Sequence, residues 1–268
     1  MSVSKKIAII GGGNIGMSIA RGLVYSEQYS AEHIIITRKK SDLPQNLHED
    51  GFTYTDDNIY AVSQSEILIV AVLPQLAYTI FNEINSAITN RHSLISIVTG
   101  VGISEIEEHI SQPICIARAM PNTAIKIRQS MTCIASNNQD CDDFKEVIEL
   151  FNMLGKTLVI DESLISSATA LGSCGIAFFL RSIRAASQGG TQIGFHAEDA
   201  QLIAAQTAKG AADLLLKLAS HPEDEIDKVT TPHGITIAGL NEMEHNGFSS
   251  AFIKGIVKSY SQAIEKNK

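Results

Sequence analysis

A short apolar run, Ile7-Ala8-Ile9-Ile10, stops on three glycines and restarts at once as an apolar-faced segment, so that residues 5–20 read KKIAIIGGGNIGMSIA. Gly11, Gly13 and Gly16 satisfy G-x-G-x-x-G, a pattern that gains weight when it leaves a strand and opens a helix. Gly11 then permits the tight turn, Gly13 lets the backbone approach a pyrophosphate, and Gly16 lets helix and strand pack closely. The helix start offers unpaired N–H groups and the positive end of its dipole to the phosphates.

The rest of the first half supports the same fold. The runs IIIT (34–37) and ILIVAV (67–72) are continuously apolar, as strands covered on both faces must be. Strands are expected at 6–10, 33–37, 67–72, 93–98, 114–119, 131–135 and 157–160, with helices between them at 15–25, 76–88 and 142–154. That alternation predicts a Rossmann-type, doubly wound parallel sheet over residues 1–161. After Asp161 no strand run is evident. Helices are expected at 164–187, 197–219, 235–246 and 249–266, the first rich in small residues such as Ala168, Ala170, Gly172 and Gly175. Residues 162–268 therefore read as an all-α domain that completes its core against a second copy, giving a homodimer.

Charge and composition narrow the function. With 21 basic and 29 acidic side chains the net charge is −8, which argues against a nucleic-acid or anionic-membrane binder but allows a local pocket for one phosphate. The longest weakly polar stretch, 168–180, ends at Arg181 and Arg184, short of the roughly 18–20 residues of a bilayer span. The N-terminus lacks the apolar region of a signal peptide. Cys115, Cys133, Cys141 and Cys174 show no C-x-x-C spacing and fit reduced thiols in the cytoplasm.

Where NAD sites place an acid for the ribose 2′-hydroxyl, this chain has Thr37-Arg38-Lys39-Lys40, a cluster suited to a 2′-phosphate. The expected cofactor is NADP(H). No nucleophile–base set stands out: Gly172-Ser173-Cys174-Gly175 is not G-x-S-x-G, and the eight histidines show no metal-ligand spacing, so no metal is expected. In Lys228–Ile237, Pro232 and Gly234 break the chain just before a helical pattern. Such a helix start can seat a small carboxylate, with the Thr236 hydroxyl beside it. An ordinary N-cap made by Thr231 or Thr236 is the structural alternative.

Taken together, IGGGNIG (10–16), AVLPQ (71–75), Arg118–Thr123 (RAMPNT), DES…TALGSCGIAF (161–178) and HPEDEIDKVTTPHGITIAGL (221–240) resemble the pyrroline-5-carboxylate reductase family over roughly residues 5–265. The resemblance implies an NADPH-dependent reductase that makes L-proline, with a helical dimerisation domain and dimers that can assemble into rings. It implies that Ile10, Gly11, Gly12, Gly13, Asn14 and Ile15 line the pyrophosphate. Arg38 and Lys39 would meet the 2′-phosphate and Asn58 the adenosine end. Ala71, Val72, Leu73 and Pro74, with Ile97, Val98 and Thr99, would flank the dinucleotide further along. The imino-acid substrate would sit between the two domains near Glu162, Val229, Gly234, Ile235 and Thr236, with Thr236 hydrogen-bonding the ring nitrogen.

The chain departs from the family pattern at several points. Leu73 replaces the lysine of A-V-K-P, and Ala124 the proline after M-P-N-T. S-G-S-G-P-A becomes Gly172–Ala177, and S-P-G-G-T-T becomes Thr231-Pro232-His233-Gly234-Ile235-Thr236. A reductase of a different cyclic imine, or an NADPH-binding regulator that has lost catalysis, stays open on these grounds. A β-hydroxyacid dehydrogenase would need a lysine acid/base on the first long helix of the second domain; none occurs between Thr157 and Ala208.

Overall fold

A computed structural model describes residues 5–42 and 50–265 of the chain. Among these, eight strands form one sheet: β1 (Ile7–Ile10), β2 (Ile34–Thr37), β3 (Thr53–Thr55), β4 (Ile67–Val70), β5 (Ser93–Ser96), β6 (Cys115–Met120), β7 (Ser130–Ser136) and β8 (Gly155–Val159). Their order is β3-β2-β1-β4-β5-β6-β7-β8. All pairings are parallel except β6–β7, which is antiparallel. The helices of this half are α1 (Asn14–Tyr25), α2 (Asn58–Ser63), α3 (Ala77–Asn85), α4 (Ile103–His109) and α5 (Asp142–Asn152).

The continuous apolar strands feed two cores. Ile7, Ile9, Ile34, Ile36, Ile67 and Ile69 belong to one cluster, with Phe144 and Phe151 of α5. Ala8, Ile10, Ile35, Leu68 and Val70 belong to the other, with Phe81 of α3 and Ile106 of α4. Successive side chains on a strand face opposite ways, so a strand buried on both sides must be apolar at every position. Each fully buried Ile or Phe contributes roughly 1.5–3 kcal/mol.

Packing divides the chain into two units, Met1–Ser173 together with Tyr260–Lys268, and Cys174–Ser259. The segment just after Asp161 therefore packs with the sheet. Ile165, in α6 (Ile165–Ala168), is 2% exposed in the second core cluster. Ser173 Oγ donates to Pro121 O at 2.8 Å and Asn122 Nδ2 to Gly172 O at 3.2 Å. A π-helical turn, Thr169–Cys174, follows α6. Such turns are rare and recur at functional positions.

Beyond it lie α7 (Gly175–Gln192), α8 (Ala197–Leu218), α9 (Pro222–Val229), α10 (Ile235–His245) and α11 (Phe248–Glu265). No strand occurs among the described residues after Val159, and Lys266, at the end of the last expected helix, lies outside them. In the second unit α7 packs along α8, and Phe178, Phe179 and Phe248 surround Phe252 at centroid distances of 6.1, 5.4 and 6.1 Å. Ala200 is nevertheless the one buried hydrophobic residue among those described for Cys174–Ser259, while Ile193, Leu202 and Leu216 stay more than 60% exposed. One expectation is corrected. The helical run Glu162–Gln192, 31 residues, is by length and composition long and apolar enough to cross a bilayer, because short helical segments join and Glu162, Arg181 and Arg184 are its only charges.

Candidate functional site

A cleft of about 510 Å³ opens where the strand order reverses, at the carboxyl ends of β1 and β4, the place where doubly wound sheets bind ligands. The glycine loop forms its floor. Gly11 has φ +108°, and a Cβ there would lie 2.6 Å from Ala71 O, so no other residue fits the turn. The loop is tied to its neighbours by main-chain bonds: Ala71 N to Ile10 O at 2.8 Å and Gly12 N to Thr37 O at 2.8 Å. Gly11 N also donates to Thr37 Oγ1 at 3.3 Å.

The same floor suits a dinucleotide phosphate. A Cβ on Gly13 would meet nothing within 4 Å, leaving open space at the start of α1. No side chain caps that helix and no acid stands in its first turn, so its N–H groups and dipole face an anion without competition.

Ile10, Gly11, Gly12, Gly13, Asn14 and Ile15 all line the cleft. Arg38, Lys39 and Asn58 line it too, as do Ala71, Val72, Leu73 and Ile97. Pro74, Val98 and Thr99 do not; Val98 is 2% exposed and belongs to the core. The reading from sequence left out Asp42, Asp56, Leu76 and Ile80, which complete the wall together with Thr37. Thr37 ends β2, where an NAD site would carry its acid. Asn58 is the first residue of α2, whose N-cap Asp57 accepts from Tyr60 N. Its Nδ2 donates to both oxygens of Glu83, each at 3.1 Å, which leaves the Asn58 amide oxygen as an unspent acceptor.

Glu162 lies elsewhere in the same unit. Its Oε1 accepts from Arg118 Nη1 at 3.0 Å and from Ile103 N at 2.7 Å. Arg118 sits in β6, whose six residues are all buried. Beside this pair Glu105 Oε2 accepts from Gly102 N at 2.6 Å and Glu105 Oε1 from the Tyr78 hydroxyl at 2.7 Å. The Gly102 amide, then the Tyr78 hydroxyl, hold the Glu105 carboxyl below its ordinary value.

Val229, Gly234, Ile235 and Thr236 belong to the second unit. Val229 ends α9, Gly234 is the N-cap of α10, and Ile235 and Thr236 are that helix's first two residues. The turn before it is held by Gly234 N donating to Thr231 O at 2.8 Å. No side chain caps α10, no acid occupies its first turn, and Ile235 is 93% exposed. Neither Thr231 nor Thr236 caps the helix with its side chain, so the plain N-cap reading does not hold. His233, where the family pattern has glycine, takes φ +59°. Among the described residues no cluster of His, Cys, Asp and Glu could hold a metal, and all four cysteines are free. Burial pushes the Cys115 thiol up to about 12, so it is not a thiolate nucleophile.

Comparison with known proteins assigns both parts of the chain. Residues 162–266 match the family model described as pyrroline-5-carboxylate reductase dimerisation, and residues 6–100 one described as NADP oxidoreductase coenzyme F420-dependent. Pyrroline-5-carboxylate reductase 1 of Dictyostelium discoideum is 50% identical over 269 residues, covering 96% of this chain and 49% of that protein. The chain thus spans about half the length of that relative. Pyrroline-5-carboxylate reductase 2 of the same organism is 49% identical over 272 residues, covering 96% of this chain and 91% of that protein. The solved pyrroline-5-carboxylate reductase of Coxiella burnetii superposes with a TM-score of 0.89 at 26% identity, covering 99% of this chain and 100% of that one.

Proposed function

Because this chain belongs to the pyrroline-5-carboxylate reductase family, we propose that it reduces the C=N bond of 1-pyrroline-5-carboxylate with NADPH, giving L-proline in the last step of proline synthesis. The observation that carries this reading is a nucleotide cleft with Arg38 and Lys39 in its wall and Thr37, not an acid, at the end of β2.

When bound, NADPH supplies the hydride that adds to the imine carbon, while the ring nitrogen gains a proton from water or arrives already protonated. The chain's own residues position the reactants. Ile10 to Ile15 hold the pyrophosphate on the start of α1, Arg38 and Lys39 meet the 2′-phosphate, and Asn58, tethered by Glu83, meets the adenosine end. Ala71, Val72, Leu73 and Ile97 flank the dinucleotide. The substrate carboxylate rests on the N–H groups at Gly234 to Thr236, with Val229 and Ile235 beside it. Thr236 hydrogen-bonds the ring nitrogen, and Glu162 serves the same ligand. Holding a ring against a hydride donor removes much of the entropic part of the barrier, which explains why the chain needs no histidine or lysine base.

The apolar surface left on α7 and α8 belongs, on this reading, to a second copy of the chain, which also accounts for the bilayer-like composition of Glu162–Gln192. We infer a homodimer able to build a ring of dimers, working in the cytoplasm, where its four thiols stay reduced.

A second reading, a related cyclic imine as substrate, draws support from His233 and Ile235 standing where the family pattern has Gly and Thr. One assay decides: NADPH oxidation with 1-pyrroline-5-carboxylate and with five- and six-membered imine analogues. Fastest turnover of 1-pyrroline-5-carboxylate, with rescue of a proline-requiring strain, is the expected result. A better analogue substrate would move the assignment to that imine. Tight NADPH binding with no turnover would leave a regulator.

A further inference from the structure

We propose that Arg118 is a positioning residue for the imino-acid site, fixing the Glu162 carboxylate so that its second oxygen receives the N–H of the reduced ring. The inference rests on the reading of the chain as an imino-acid reductase.

Arg118 is 6% exposed, in a strand whose other five residues, Cys115, Ile116, Ala117, Ala119 and Met120, are apolar and buried. A guanidinium there is costly unless every N–H is matched. It is not: the buried Nε of Arg118 has no acceptor. Stability alone would favour an apolar side chain at this position, so the charge serves something else. Its hydrogen bond is the one from Nη1 to Glu162 Oε1, at 3.0 Å.

Glu162 shows the complementary pattern. Oε1 takes both Arg118 Nη1 and the main-chain N–H of Ile103, the first residue of α4. Two donors from two different elements on one oxygen fix the plane of the carboxylate. Oε2 takes no hydrogen bond among the described residues, and the side chain remains 35% exposed. A carboxylate locked through one oxygen with the other free is suited to a single cationic N–H donor. The imine, once protonated, and the secondary ammonium of the product both carry such a donor.

The test compares two ligands that differ only at that atom. L-proline and tetrahydrofuran-2-carboxylate, its ring-oxygen analogue, are titrated calorimetrically into the NADP+-loaded protein, alongside turnover of 1-pyrroline-5-carboxylate. If the unaltered protein neither turns over the imine nor binds proline, the functional reading itself fails and takes this inference with it. With that reading intact, Arg118→Met is expected to weaken proline at least tenfold and raise KM more than it lowers kcat. Affinity for the ring-oxygen analogue and for NADPH should change less than twofold. Arg118→Lys, which keeps a cation, should recover part of the proline loss. Glu162→Gln combined with Arg118→Met should be no worse than the poorer single variant, because the two act as one unit. Equal loss for both ligands, or unchanged proline binding, overturns the proposal. If Arg118→Met lacks a folding transition, the comparison is read from Arg118→Lys and Glu162→Gln by the same criteria.

Discussion

The stem of Arg38 lies across Gly12, so closely that a Cβ on that glycine would sit 2.7 Å from Arg38 Cγ and 2.9 Å from Cδ. The central glycine of GGG is thus the surface on which the candidate 2′-phosphate ligand is laid. Arg38→Ala should weaken NADPH at least tenfold and NADH less than twofold, measured by fluorescence titration. Equal losses for the two nucleotides would remove Arg38 from the 2′-phosphate.

The Thr236 hydroxyl takes no hydrogen bond among the described residues, which leaves it available to the proposed substrate. Thr236→Ala is expected to lower kcat/KM by about 10- to 1000-fold, roughly 1.4–4 kcal/mol, with NADPH affinity unchanged. An unaltered rate would exclude the hydroxyl from the reaction.

Glu105 gives the fold an acid-sensitive joint. Its folded carboxyl lies below the ordinary 4.5, through the Gly102 amide first and the Tyr78 hydroxyl second. The unfolded chain therefore takes up this proton first as pH falls. The stabilisation is complete above about pH 4.5 and disappears as pH drops through the folded value. Glu105→Gln should cost about 1 kcal/mol at pH 7, as lost helix-start contacts typically do, and flatten the decline of Tm between pH 5 and pH 3. A parallel decline in both proteins would place the acid sensitivity elsewhere.

The second unit's exposed apolar side chains predict a quaternary effect. Leu202→Asp, alone or with Phe179→Asp, should shift the particle mass from oligomer to monomer in light scattering at micromolar concentration. An unchanged mass would move the interface away from α7 and α8.

Much of the architecture is legible in residues 1–161 because strands such as IAII and ILIV are apolar at every position, which only a doubly covered sheet requires. What escapes is what has little pattern to show. β3 is three residues long and α2 and α4 are six and seven, too short for a period to emerge. The antiparallel turn of β7 depends on pairing with β6, which no local signal encodes. The basic residues after Thr37 announced the cleft; Leu76 and Ile80, spaced as an ordinary helix face, did not. Arg118 carried a sign that was there to read, a lone cation inside a strand with no other charge, which demands an acid from elsewhere in the chain.

The glycine loop is held from outside itself, by Thr37 at the end of β2 and by Ala71 just past β4. Its shape belongs to the sheet and exists before any nucleotide arrives. A dinucleotide landing there has no backbone to organise, so the speed of capture is left to diffusion and to the pull of two cations at the rim.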